Sequence, residues 1–228
     1  MVRSLNLRAA FRAQPPPEGA RVLDAGCGEG ASLAALLSRR FPLVHFYAAD
    51  LFIQAQYALP PNLHLLVHDV QKSLPESGFY AVYSMDLLEH VEEPRAVLKN
   101  FFDAIVPGGR LFLHIPSSSQ FHYFESAREG YRPSFRETRR GDLHLREGFS
   151  EEDLAGLLSK QGFSDIRFRR TFSPPVFFFK ELYTLGERLG IPGTGILLLP
   201  FMLLFGTAER IFPPERGNGI WVEAVRPL

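Results

Sequence analysis

From Arg21 onward the chain alternates short apolar runs with segments whose apolar residues recur at helical spacing. Arg21–Gly28 reads as a strand running into a glycine-rich turn, and Gly30–Arg40 carries Leu33, Leu36 and Leu37 at helical period. Leu43–Asp50 reads as a second strand, followed by a short helix, Pro60-Pro61 and a third strand over Leu63–Val70. Phe79–Met85 is the next apolar strand. Pro94–Val106 then predicts an amphipathic helix, with Val97, Leu98, Phe101, Phe102 and Ile105 on one face and proline in its first turn. Pro107-Gly108-Gly109 ends it, and Arg110–Ile115 reads as a strand again. Such alternation predicts an α/β fold in which a parallel sheet carries helices on both faces. Ahead of it, Leu5, Leu7 and Phe11 among polar neighbours suit a short surface helix closed by Pro15, Pro16 and Pro17.

The pattern changes after Pro116. Residues 117–147 are polar, aromatic and arginine-rich without a clear period, which predicts a lid or binding element. Over residues 128–147 its arginines outnumber its acids by two; a solvated charged loop is the simpler reading of that excess, and attraction of an anionic acceptor the sharper one. Ser150–Gln161 predicts a helix with Ser150 as N-cap and Asp153 three residues on, stopped by Gly162. Phe163–Phe172 and Gly219–Arg226 read as strands. Between them lies an apolar insertion, residues 174–217, predicted as two helices joined around Gly190–Gly195. Its stretch Ile196–Phe205 is apolar on every side and must be covered by something. Self-packing against the sheet, an apolar acceptor or membrane surface, and a homodimer contact are the three options.

Length and composition add bounds. The 228 residues suit one elaborated domain over 1–228, and 46% apolar residues suffice for a sizeable core. Twenty-five basic residues balance 25 acidic ones, which argues against a nucleic-acid partner engaged by wholesale charge. The single cysteine, Cys27, forms no internal disulfide, so a cytoplasmic location is expected, peripheral to the membrane at most. No export signal is evident at the start, and Ile196–Phe205, broken by Pro200, is about half the length needed to cross a bilayer.

The chemistry concentrates in Asp24-Ala25-Gly26-Cys27-Gly28-Glu29-Gly30, a strand end feeding a turn and a helix N-terminus. Glycines there remove side chains where backbone approaches a ligand. Asp50 closes the second strand and Asp69 the third, at the sheet edge where open α/β folds bind ligands. Read as Gly-x-Gly-x-x-Ala, the turn also suits a nicotinamide dinucleotide. Gly30 comes one residue early for that, and no Tyr-x-x-x-Lys pair is present.

With Asp50, His68-Asp69-Val70, the segment Met85–Val91, the Pro107-Gly108-Gly109 turn and the stretch before Ser150, the sequence resembles the class I S-adenosylmethionine-dependent methyltransferases. The resemblance covers Arg21 to about Phe172 plus the last strand. It implies a Rossmann-like seven-stranded sheet whose final strand, Gly219–Arg226, is antiparallel and pairs with Phe163–Phe172. It implies S-adenosyl-L-methionine as cofactor: Asp24 at the methionine amino group, Ala25, Gly26, Cys27, Gly28 and Gly30 along it, and Asp50 and Leu51 at the ribose. Asp69 and Val70 would meet the adenine, with Met85 and Asp86 lining the pocket. Cys27 reads as packing rather than nucleophile, and no metal is expected.

Methyl transfer needs alignment and exclusion of water, with a base only where the acceptor loses a proton. His144, before the helix flanking the site, is the first candidate base and His90 the second. His114 reads as packed near the end of the fifth strand, while His45, His64 and His68 read as structural. The expected acceptor is a small or lipid-like molecule. A cofactor-binding, catalytically silent partner subunit is the alternative.

Overall fold

The computed structural model describes residues 3–124 and 145–228. Helix α1 (Arg3–Ala13) precedes β1 (Arg21–Ala25), α2 (Ser32–Arg40), β2 (His45–Asp50), β3 (Leu63–Val67) and β4 (Phe79–Met85). Next come α3 (Pro94–Ala104), β5 (Ile105–Pro116), α4 (Glu151–Gln161) and β6 (Ser164–Thr171). The chain closes with α5 (Pro174–Arg188), α6 (Thr194–Ile211) and β7 (Gly219–Val225). The strands form one seven-stranded sheet in the order β3-β2-β1-β4-β5-β7-β6. Pairs from β3 to β5 are parallel, while β7 runs antiparallel between β5 and β6. The Rossmann-like sheet and the antiparallel final strand are as the sequence implies. After β3 the chain returns past β1 to lay down β4, so a crevice opens between the C-terminal ends of β1 and β4.

Two apolar layers cover the sheet. Val97, Leu98 and Phe101 of α3 and Leu154 and Leu158 of α4 bury against one face. The other takes Ala34, Ala35 and Leu37 of α2 together with Leu7 and Phe11 of α1. Helix α1 is therefore no surface element. Leu7 and Phe11 lie four residues apart on one stripe, both are fully buried, and Phe11 packs edge-on against Phe41, Tyr83 and Phe112.

Three further expectations change. Residues 51–60 form no helix: Tyr57 hydrogen-bonds the Gly30 carbonyl instead, and Pro60 follows too soon for a stable turn. Helix α3 stops at Ala104 and β5 begins at Ile105, with a register shift against β4 across the Pro107-Gly108-Gly109 turn. Pro200 lies inside α6 without ending it, so the apolar helix runs through 18 residues. Helix α4 is as predicted: Ser150 Oγ accepts from the Asp153 amide at 3.0 Å, and Gly162 closes it at φ 98°.

Candidate functional site

The C-terminal ends of β1 to β4 open into a cavity of about 860 Å³. The glycine turn is pinned to the neighbouring strand, since the amides of Gly26 and Cys27 both donate to the Ala49 carbonyl, at 2.8 and 3.1 Å. Gly26 has φ 75°, and a Cβ there would stand 2.8 Å from Leu87. Glycine is thus required twice over, by conformation and by space. One residue past Cys27, the Gly28 amide donates to Asp50 Oδ2 at 2.8 Å, while Asp50 Oδ1 accepts from the Phe52 amide at 3.3 Å. Asp69 lies two residues past β3, and its Oδ1 accepts from the Gln71 amide at 3.0 Å. Gln71 in turn accepts the Glu92 amide at 3.0 Å and ties that loop to the one after β4.

Asp24 is the decisive group. Its carboxyl is buried, it lines the cavity, and among the described residues its Oδ2 has no hydrogen-bond partner. Burial pushes it up to about 7, the nearby Tyr83 phenol opposes that, and the charge of Asp50 adds to it. A buried carboxylate oxygen left without a donor beside a cavity is stabilised by a cation entering that cavity. Burial also raises the neighbouring Cys27 thiol far above its ordinary value, which leaves it protonated and inert.

The far end of the same cavity is built from β4, β5 and the insertion. Asp86 sits at φ 52°, a sparsely populated conformation held by its amide donating to the His114 carbonyl at 2.8 Å. Its Oδ1 pairs with His114 Nδ1, and His114 Nε2 meets Thr171 Oγ1 at 2.9 Å. Both ring nitrogens are engaged, so His114, itself at the cavity wall, orients Asp86. Phe172, Phe177 and Lys180 complete this end. Helix α5 is held there by two acids: Glu209 accepts the Phe172 and Ser173 amides at its N-terminus, and buried Glu181 accepts the Tyr123 and Phe124 amides and pairs with His122. Burial raises Glu209 above its ordinary value, against the pull of those two amides.

Of the residues predicted for the cofactor, the cavity wall includes Asp24, Gly26, Cys27, Gly28, Asp50 and Leu51. It also includes Asp69, Val70, Met85 and Asp86. Ala25 and Gly30 stand behind it: the Ala25 carbonyl accepts from the Ser84 hydroxyl at 2.7 Å, and that of Gly30 from Tyr57 at 2.5 Å. His90 lines the cavity, whereas His144 falls outside the described residues. His68, read as structural, lines the cavity too, with its Nε2 unpartnered among the described residues. Gln71, Phe172, Phe177 and Lys180 were not foreseen as lining residues. Their loops and insertion carry no local motif, and only β-strand order brings them to the crevice. No group of three or more His, Cys, Asp or Glu among the described residues could hold a metal ion.

Comparison with known proteins agrees with this geometry. Residues 3–167 match the model of a family described as a methyltransferase domain. The chain belongs to that family. An uncharacterized methyltransferase of Mycobacterium tuberculosis is 38% identical over 94 residues, 40% of this chain and 47% of that protein. A tRNA U34 carboxymethyltransferase of Alteromonas mediterranea is 30% identical over 107 residues, covering 42% and 32%. A ubiquinone biosynthesis O-methyltransferase of Xanthomonas axonopodis is 33% identical over 108 residues, covering 42% and 43%. The chain thus spans less than half the length of these relatives. In fold it is similar to the Haemonchus contortus phosphoethanolamine N-methyltransferase 2 in complex with S-adenosyl-L-methionine, with a TM-score of 0.62 at 19% identity over 98% of this chain and 52% of that one.

The cavity fits the cofactor of this methyltransferase family, S-adenosylmethionine. Its ammonium would supply a partner for the Asp24 oxygen that has none among the described residues. The backbone around Gly28, where a side chain would meet open space, leaves room along the cofactor's length.

Proposed function

We propose that this methyltransferase-family chain transfers the methyl group of S-adenosylmethionine to a small, lipid-like acceptor. The observation that carries the proposal is the continuity of the cavity. One space runs from the carboxylates of Asp24, Asp50 and Asp69 to the aromatic wall of Phe172 and Phe177, with Lys180 beside it. A cavity of this volume lies in the upper part of the range for small-ligand sites, enough for a cofactor and a modest second molecule.

Each residue's role follows from its chemistry. Asp24 holds the ammonium, Asp50 accepts from the ribose hydroxyls while keeping the glycine turn in place, and Asp69 with Val70 meets the adenine edge. When bound, the cofactor supplies a methyl carbon already activated by its sulfonium, so the protein's task is alignment and dryness. Phe172 and Phe177 exclude water at the acceptor end. Asp86, held by His114 and Thr171, orients a donor group of the acceptor. A proton leaving the acceptor goes to a nearby base, for which His90 on the cavity wall and His144 from the sequence pattern are the proposed groups.

Isothermal titration with S-adenosylmethionine and its demethylated product tests the first half of this reading. Incubation with methyl-labelled cofactor and a cell extract, split into organic and aqueous phases, tests the second. Label in the organic phase is expected. Label confined to the aqueous phase would rule out the lipid-like acceptor, and cofactor binding without any label transfer would leave a silent binding subunit.

A further inference from the structure

Helix α6 has its polarity reversed. Its two charged residues lie at its C-terminal end, where Glu209 turns inward to hold the Phe172 and Ser173 amides. Its outward face is apolar: Ile196, Leu197, Leu204 and Ile211 are 83%, 68%, 64% and 68% exposed. Leu197, Phe201, Leu204, Ala208 and Ile211 recur every three or four residues, so this is one continuous stripe along the whole helix. Phe212 extends it at one end, and exposed Leu189 and Ile191 extend it at the other.

By length and composition alone α6 could cross a bilayer. Its inner face, packed on α5, favours a different placement. Phe205 stacks on Phe179 of α5 at 5.6 Å between ring centres, Phe201 at the border of the outer stripe stacks on the same ring at 5.0 Å, and Met202 and Phe205 pack against the cluster of Phe172, Val176 and Phe177. A helix docked along one side and apolar along the other lies flat at an interface.

Charge identifies that interface. Burial lowers the proton affinity of Arg210, at the end of the stripe, and the nearby charges of Arg169 and Arg12 lower it further. Arg169 donates to the Arg210 carbonyl at 3.1 Å rather than to an acid. The Arg210 Nε is buried without a partner, and no carboxylate among the described residues pairs with any of the three. Clustered guanidiniums without acids are completed by phosphate oxygens. We propose that the outer face of α6 docks the protein on an anionic phospholipid surface, its apolar stripe entering the acyl boundary and Arg12, Arg169 and Arg210 engaging headgroup phosphates. The inner side of the same hairpin lines the cavity through Phe177 and Lys180, so docking sets the acceptor end against lipid.

Sedimentation of the full chain with vesicles tests this independently of methyl transfer. Binding is expected to phosphatidylcholine vesicles containing phosphatidylglycerol, weakened by salt, and only faintly to phosphatidylcholine alone. Leu197→Glu and Leu204→Glu should each weaken binding by about tenfold, since each places a charge where a leucine was buried in lipid. Arg12→Gln and Arg169→Gln should each cost about fivefold on anionic vesicles. Leu43→Glu, an exposed leucine at the opposite end of the sheet, should bind as the parent does. Far-ultraviolet circular dichroism and cofactor titration confirm that each variant folds. Failure of the parent to bind vesicles, or binding indifferent to the α6 variants, would overturn the proposal. So would a concentration-dependent dimer that Leu197→Glu dissociates without any lipid binding, which would assign the face to a second copy.

Discussion

The proposed cofactor contacts rest most on two aspartates, and each has its own signature. Burial holds Asp24 at about 7, above its unfolded value, so the folded protein keeps that proton only below neutral pH. Its effect on stability is therefore favourable at low pH and is lost as pH rises through about 7. An incoming ammonium requires the ionised form, so the cofactor should bind about tenfold more tightly at pH 8 than at pH 6 and release a proton on the way. Titration calorimetry in buffers of different ionisation enthalpy measures both effects, and Asp24→Asn should flatten the profile. Asp50→Ala acts differently, because it removes a charged acceptor from the ribose and from the Gly28 amide. A loss of about tenfold to a hundredfold in cofactor affinity is expected, with the circular dichroism spectrum unchanged. Unaltered affinity in that variant would contradict the ribose role.

At the scale of elements, the insertion depends on buried acids more than on its apolar surface. Glu209 stops the N-terminus of α5 from leaving two buried amides bare. Glu209→Ala should lower stability by about 2–4 kcal/mol in urea denaturation, while Glu209→Gln, which keeps one acceptor, should lose about half of that. Helical period predicted α5 and α6 as a hairpin, but neither acid stood out in the sequence. Glu181 and Glu209 lie in different helices, and their amide partners are a loop and a strand end brought near only by packing. The same holds for α1. Its Leu7 and Phe11 stripe was visible, yet only the gap over β1, β4 and β5 decides that the stripe is buried.

For the molecule as a whole, cofactor binding and folding are linked. A ligand at a hundred times its dissociation constant stabilises the folded state by about 2.7 kcal/mol. For a chain of this size that corresponds to a rise in Tm of roughly 5–10 °C. Thermal denaturation with and without S-adenosylmethionine checks this, and Asp50→Ala should remove about half of the shift or more. An unchanged Tm in the parent at saturating cofactor would argue against the site itself.

The strand–helix alternation, the glycine turn, and Asp50 and Asp69 at strand ends were all legible in the sequence. Each depends on local rules: side-chain period, the backbone freedom of glycine, and the C-terminal edge of a parallel strand. Contacts between distant segments were not legible. His114 reads as a packed strand residue until Asp86 and Thr171 are seen at its two nitrogens. The apolar run of α6 left three possible coverings open, because hydrophobicity records that a surface avoids water and not which neighbour supplies the shelter. Packing answers half of it: one side of the helix is taken by α5, and the other side faces outward.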